Sequence, residues 1–170
     1  MIQDPARRGR SLAAFYDAVS PRLLRDLEES GALPAEADAA ARERWRTEWE
    51  CFALYACVRG LVAAGGFNRE TGAAIDALHE AVLASWRERA ASPEEFRIRS
   101  ERVSERYAEY GAIGQEGGAS GAASVTLRLG ESAARHMIDP DTPADSLAEL
   151  AGALHETLAE GAAEAVRLAE

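Results

Sequence analysis

Residues 51–64 are apolar on almost every side of a helix, and this stretch constrains the fold more than any other. Arg59 is the only charged residue within it. A helix that is hydrophobic all round is enclosed by other elements instead of lying at the surface. The stretch completes a longer helical pattern that starts near Pro34 and stops at two successive glycines, Gly65 and Gly66. We therefore predict a helical bundle in which this second helix is central.

Start and stop signals divide the rest of the chain into further helices. Gly31 ends the first helix, and Asn68 can cap the third. Ser92 begins the fourth helix, with proline in the next position and a glutamate, Glu95, three residues after the serine. No segment shows the alternation that is typical of a strand. The sequence therefore predicts an all-α bundle of about six helices.

The chain of 170 residues fits one domain, which we predict to span residues 1–170. Within this domain we expect residues 1–10 to be frayed and residues 116–121 to form a flexible, glycine-rich connection. The glycines of that connection do not indicate a nucleotide-binding loop, because a charged helix precedes them and the lysine of such loops is missing.

Charge and composition exclude several classes of function. The net charge of −10 opposes binding to a phosphate-coated partner, so we expect no nucleic-acid binding. The chain contains no lysine, which excludes Schiff-base chemistry. Residues 51–67 are too few to span a bilayer, so we expect no membrane insertion. Cys51 and Cys57 are about 9 Å apart along one helix, too far for a disulfide, and this spacing favours buried thiols in the cytoplasm.

Two histidines, His79 and His136, lie in the middle of apolar helical faces, and they are the nearest thing to a chemical signal in this chain. Polar groups on buried faces need partners. Glu48 and Arg99 are similar polar exceptions on neighbouring helices, so we expect these groups to meet. The candidate buried polar or ligand site comprises Glu48, Asp76, His79, Arg99, Arg106 and His136. Complete pairing would make this cluster structural, whereas a remaining gap would make it a ligand or proton-transfer site.

A metal site is the weaker alternative. Asp76 and His79 are spaced like the Glu-x-x-His motif of di-iron bundles, but neither His136 nor His155 has an acid three residues before it. A mononuclear site would use His79, His136, Asp76 and Glu48. We place His155 at the edge of the last apolar face, in a surface or capping role, and we expect no cofactor.

The lack of a recognised catalytic set, cofactor loop or basic groove favours a noncatalytic interaction module over an enzyme. We expect its partner to be a second copy of the chain or another protein. The fifth helix supports a homodimer because it has two apolar sides, one with Val125 and Leu129 and the other with Leu127 and Ile138. One alternative is a small-ligand-binding bundle with a pocket lined by tyrosine, tryptophan and arginine. The other is a metal-dependent enzyme that uses histidine and carboxylates.

Overall fold

Six helices make up the described part of the chain. The computed structural model describes residues 4–116 and 121–168, and these residues contain no strand. The helices are α1 (Pro5–Glu29), α2 (Ala39–Gly65), α3 (Arg69–Arg89), α4 (Pro93–Glu116), α5 (Ala122–Met137) and α6 (Asp145–Leu168). The prediction of an all-α bundle of about six helices is confirmed.

Polar side chains cap the third and fourth helices at the predicted positions. The Asn68 side chain accepts a hydrogen bond from the Thr71 N–H at 2.9 Å. The Ser92 hydroxyl accepts one from the Glu95 N–H at 3.1 Å, and the Glu95 carboxylate accepts one from the Ala91 N–H at 2.8 Å. These bonds satisfy backbone donors that have no partner inside a helix.

Residues 4–10, which we expected to be frayed, form the start of α1 instead. The helix begins at Pro5, a residue that suits the first helical turn, and the Asp4 side chain caps that turn. Gly9 is buried against α3. The sequence gives little sign of this contact, because a glycine adds nothing to an apolar pattern. Residues 1–3 lie outside the described residues.

One further boundary differs from the prediction. α1 contains Pro21 without ending there. α2 begins at Ala39, later than predicted, because the Asp38 side chain caps it there. Of the glycine-rich connection predicted at residues 116–121, residues 117–120 lie outside the described residues.

α2 is the central helix, as predicted. It contacts each of the other five helices, and these five form a closed ring around it in the order α1, α3, α4, α5, α6. Trp49, Phe52 and Leu54 of α2 are 0% exposed. This enclosure explains why α2 shows no apolar stripe along one side, since every side of the helix faces a neighbour.

Successive helices alternate in direction. Phe52 of α2 stacks on His155 of α6, and Gly60 of α2 meets Ala163 of α6, so these two helices run parallel. The other interhelical contacts place α4 parallel to this pair and α1, α3 and α5 antiparallel to it. Each connection therefore joins two helices of opposite direction, as in an up-and-down bundle.

Glycines let three pairs of helices approach closely. A Cβ atom on Gly60 of α2 would lie 2.6 Å from the Cβ of Ala162 in α6. A Cβ atom on Gly130 of α5 would lie 2.0 Å from the Ala148 carbonyl oxygen of α6. Gly9 of α1 meets the backbone of α3 in the same way. Small residues thus serve the packing of this chain on itself.

We expect Gly130→Ala to lower the free energy of unfolding by about 1–3 kcal/mol, because the added methyl group would force α5 and α6 apart. Gly111→Ala is the matched control. Apart from the adjoining residues and backbone of α4 itself, no atom of the described residues lies within 4 Å of a Cβ atom at this position, so alanine should stabilise the helix by about 0.5–1 kcal/mol. Urea denaturation followed by circular dichroism measures both variants. Equal stability of the two would contradict the close α5–α6 packing.

Candidate functional site

Glu48 lies in a buried ionic cluster between α2 and α4. The residue is 3% exposed, and its carboxylate accepts two hydrogen bonds from Arg106, from Nε at 2.7 Å and from Nη2 at 2.9 Å. Arg102 brings its Nε to 3.4 Å from the same carboxylate and donates from Nη1 to the Thr47 hydroxyl at 2.8 Å. An arginine–carboxylate pair joined by two hydrogen bonds is a strong contact. This pair therefore connects α2 and α4.

Arg99 makes the second ionic contact between α4 and α2. It is 5% exposed and donates a hydrogen bond to the Glu50 carboxylate. Its guanidinium carbon lies 5.2 Å from the centroid of the Trp86 ring, within range of a cation–π interaction. Glu50 also pairs with Arg46 of its own helix at 3.4 Å. The predicted site residues Arg99 and Arg106 therefore use different carboxylates of α2.

His79 lies between α3 and α4, where its Nε2 is 2.9 Å from the Tyr107 hydroxyl. Burial lowers the pKa of His79, although the Asp76 charge and the Ile75 backbone act in the opposite direction. The imidazole is therefore mostly neutral at pH 7. We expected a polar partner for His79 from within the predicted site, but its hydrogen bond goes to Tyr107, a residue that we had not selected.

His136 belongs to a separate cluster between α4 and α5. Its Nε2 lies 2.7 Å from Oε2 of Glu109, and Ser132 and Arg135 donate to the other oxygen of that carboxylate. Burial alone would raise the pKa of Glu109, but the hydrogen bonds from Ser132 and His136 and the His136 charge together lower it. Sequence analysis missed Glu109 because it lies on the charged side of α4.

The alternative metal site does not form. Within residues 4–116 and 121–168, no three histidine, cysteine or carboxylate side chains converge as metal ligands would. Glu48, His79 and His136 each bond a different partner, and Asp76 is exposed. These separate pairings bring no three of the four candidate ligands together.

His155, which we placed at the edge of α6, is completely buried. Its ring stacks on Phe52 with 4.1 Å between ring centroids, and neither ring nitrogen has a hydrogen-bond partner among the described residues. Burial lowers the pKa of His155 to about 3, the Arg59 charge acts in the same direction, and the nearby Phe52 backbone opposes both. The sequence feature that indicates this burial is the alanine- and glycine-rich face of α6 on which the histidine lies.

Cys51 and Cys57 are buried and unpaired, as predicted. Burial raises the pKa of each thiol to about 12. Both thiols therefore stay protonated at pH 7, and a protonated, buried thiol is a poor nucleophile.

A cleft of about 330 Å³ opens between α1, α2 and α3, and we call it the three-helix cleft. Tyr16, Leu24 and Trp49 form its apolar floor, and all three are buried. The Tyr16 hydroxyl donates to the Glu50 carbonyl oxygen at 3.1 Å, and the Trp49 indole N–H donates to the Ser20 carbonyl oxygen at 3.0 Å. Tyr16 and Trp49 are 3% and 0% exposed, so a ligand reaches the apolar surface of the cleft chiefly at Leu24 and at Pro21, which also lines the cleft and is exposed.

Charged side chains surround this floor. Asp17 of α1, Arg46 and Glu50 of α2, and Arg89 of α3 all line the cleft. Burial raises the pKa of Asp17, and the Arg89 charge works against that rise. Glu50 belongs both to the cleft and to the ionic cluster through Arg99. The three-helix cleft thus combines an apolar floor with groups of both charges.

No protein family, no curated protein and no solved structure matches this chain. In the part of the chain that the structure describes, no helix combines the length and the apolar character that a membrane span requires.

We expect Glu48→Ala to lower the free energy of unfolding by about 3 kcal/mol, because it leaves Arg106 and Arg102 without their carboxylate. Glu164→Ala removes only an exposed pair with Arg167, so as the control it should change the unfolding midpoint little. Guanidinium denaturation measures both. If Glu48→Ala were no more destabilising than the control, the ionic cluster would not hold α4 in place.

A second prediction concerns pH. The unfolded chain protonates His155 near the usual pKa of 6.5, whereas the folded protein keeps the ring neutral down to about pH 3. Protons therefore favour the unfolded state in this interval, and stability falls as the pH falls. His155→Leu should flatten the pH dependence of the unfolding free energy between about pH 6 and 4, by up to about 1.4 kcal/mol per pH unit. The control Thr157→Ala, at an exposed position of α6, should keep the wild-type slope. A wild-type slope in His155→Leu would show that this ring is not held neutral.

Proposed function

We propose that this chain is a noncatalytic, small-molecule-binding helical bundle whose ligand occupies the three-helix cleft. The observation that carries the proposal is an apolar floor beside a few charged groups in a cleft of about 330 Å³. Small-molecule sites are typically concave, about 300 Å³ or larger, and mostly apolar with a few placed polar groups. The lining also has the tyrosine, tryptophan and arginine that the small-ligand alternative predicts.

The cleft is held open by bonds that a ligand does not need to break. The hydrogen bonds of Tyr16 and Trp49 join α1 to α2 through backbone carbonyl groups. The side chains of the floor are therefore already positioned before any ligand enters. A preformed site loses less conformational entropy on binding than one that must first become ordered.

The chemistry around the cleft favours binding over catalysis. No histidine or cysteine of the described chain lines the cleft. The carboxylate of Glu50 is engaged by arginines, so it is poorly suited to act as a general base. The remaining groups of the cleft can orient a ligand by charge and hydrogen bonding, which is what a binding module requires.

Self-association is a second proposal, supported by one residue of α5. Leu129 and Ile138, which we assigned to opposite apolar sides of this helix, are both buried within the bundle. Leu127 is 44% exposed, and a homodimer through the outer side of α5 would cover it. The partner is then a second copy of this chain.

The expected compartment is the cytoplasm. Two buried and unpaired cysteines suit a reducing environment. The net charge of −10 continues to favour a small molecule or a protein over nucleic acid as the partner.

An aromatic fluorescent probe, 8-anilino-1-naphthalenesulfonate, tests the cleft directly and should bind the native protein saturably. Ser85→Trp should weaken this binding at least about tenfold, because Ser85 lines the cleft and a large side chain there would fill it. Ala84→Trp, at the exposed neighbouring position of α3, should keep the wild-type affinity.

Fluorescence titration gives the affinities, and circular dichroism melting shows whether both tryptophan variants are folded. Equal binding to both variants would place the probe outside the cleft and contradict the proposal. Absence of saturable binding to the wild-type protein would contradict it as well.

A further inference from the structure

Two opposite charges at the edge of the three-helix cleft are available to a ligand. Asp17 of α1 and Arg89 of α3 both line the cleft, both are exposed, and no ion pair joins them among the described residues. Among the described residues, the Asp17 side chain has no hydrogen-bond partner. Arg89 donates from Nε to the Ser85 carbonyl oxygen at 3.3 Å, which leaves its two terminal nitrogens without a partner in the same residues.

The other charges of the cleft are already engaged. Arg46 donates from Nε to Glu43 at 3.0 Å and pairs with Glu50 at 3.4 Å. The Glu50 carboxylate also accepts a hydrogen bond from Arg99. A ligand therefore meets one free carboxylate, that of Asp17, and one free guanidinium group, that of Arg89.

The apolar floor of the cleft determines which chemical groups the rest of the ligand can carry. Tyr16 and Trp49 have their polar atoms bonded to backbone carbonyl groups and are almost completely buried beneath the cleft. Leu24 and the exposed Pro21 give the cleft its aliphatic surface. A polar group placed against this surface would lose its water without gaining a partner. The part of the ligand that reaches the floor is therefore apolar, and its charges lie at the opposite end.

We propose that the three-helix cleft binds a free α-amino acid with a large apolar side chain. Its ammonium group donates to Asp17, its carboxylate accepts from Arg89, and its side chain packs on Leu24 and Pro21. The inference rests on the proposed ligand-binding function and adds the class of ligand to it.

A zwitterion fits this cleft better than a ligand with a single charge. An amine alone would leave Arg89 without a partner, and a carboxylate alone would leave Asp17 without one. Hydrogen bonds between charged groups are about twice as strong as those between neutral groups, so the loss of either contact should be measurable. A zwitterion also brings no net charge to a protein whose own net charge is −10.

Four related compounds test the inference in parallel by isothermal titration calorimetry. L-Phenylalanine carries both charges, 2-phenylethylamine lacks the carboxylate, 3-phenylpropanoate lacks the amine, and 2-phenylethanol lacks both. L-Phenylalanine should bind at least about tenfold more tightly than each of the other three.

Two variants then assign the contacts. Asp17→Asn should weaken the binding of L-phenylalanine about tenfold and leave 3-phenylpropanoate unaffected, because the latter has no amine to lose. Arg89→Gln should weaken the binding of L-phenylalanine equally and leave 2-phenylethylamine unaffected. Asp26→Asn and Arg69→Gln, at exposed positions of α1 and α3 outside the cleft, are the matched controls and should bind like the wild-type protein.

The outcomes separate this inference from the proposed function. If all four compounds bind alike, or if the variants show no selectivity, the amino-acid inference is wrong and a purely apolar site remains. If the fluorescent probe binds in the cleft and L-phenylalanine does not bind, the inference is wrong and the proposed function stands. If neither the probe nor any of the four compounds binds, both are wrong.

Discussion

The enclosure of α2 by five other helices is the constraint on which the rest of the structure depends. A helix in this position needs apolar residues on every side, and its C-terminal half has them. Its N-terminal half instead places Glu48 inside the bundle, where an unpaired carboxylate would be strongly destabilising. Arg102 and Arg106 of α4 balance that charge. Ionic contacts therefore hold α4 against α2, whereas close packing at Gly60 holds α6 against it.

Glu50 connects this ionic cluster to the three-helix cleft. Its carboxylate accepts a hydrogen bond from Arg99 of α4, and its backbone carbonyl oxygen accepts one from the Tyr16 hydroxyl of α1. The charged residues of the predicted site thus mainly hold helices together. Asp17 and Arg89, which have no ion-pair partner among the described residues, are at positions that carry no motif, and only the structure places them at one cleft.

The fold could be predicted from the sequence because its determinants are local: an apolar segment, caps, and glycines at helix ends. The pairing of side chains within the candidate site could not be predicted from the sequence, because the partner of a buried arginine depends on how α4 is rotated about its axis. His79 illustrates this, since its bond goes to Tyr107. His155 and Gly9 were missed for another reason. The neighbours of His155 along its own face of α6 are mainly small, and Gly9 has no side chain, so neither position shows a clear apolar pattern although both are closely packed. The cleft was also beyond local prediction, since three separate helices build it.

A hydrogen bond from the central helix fixes the stretch of α1 around Pro21, at the wall of the cleft. A proline inside a helix cannot donate to the carbonyl group four residues earlier, here that of Asp17, and this weakens the helix locally. α1 nevertheless continues through this position, and the Trp49 indole donates to the adjacent Ser20 carbonyl oxygen at 3.0 Å. The weakened stretch of α1 is thereby attached to the central helix at the wall of the cleft. Under the proposed function, a ligand would enter a space whose walls are already set, so its selectivity would follow from the shape and charge of the cleft and not from a rearrangement of the bundle.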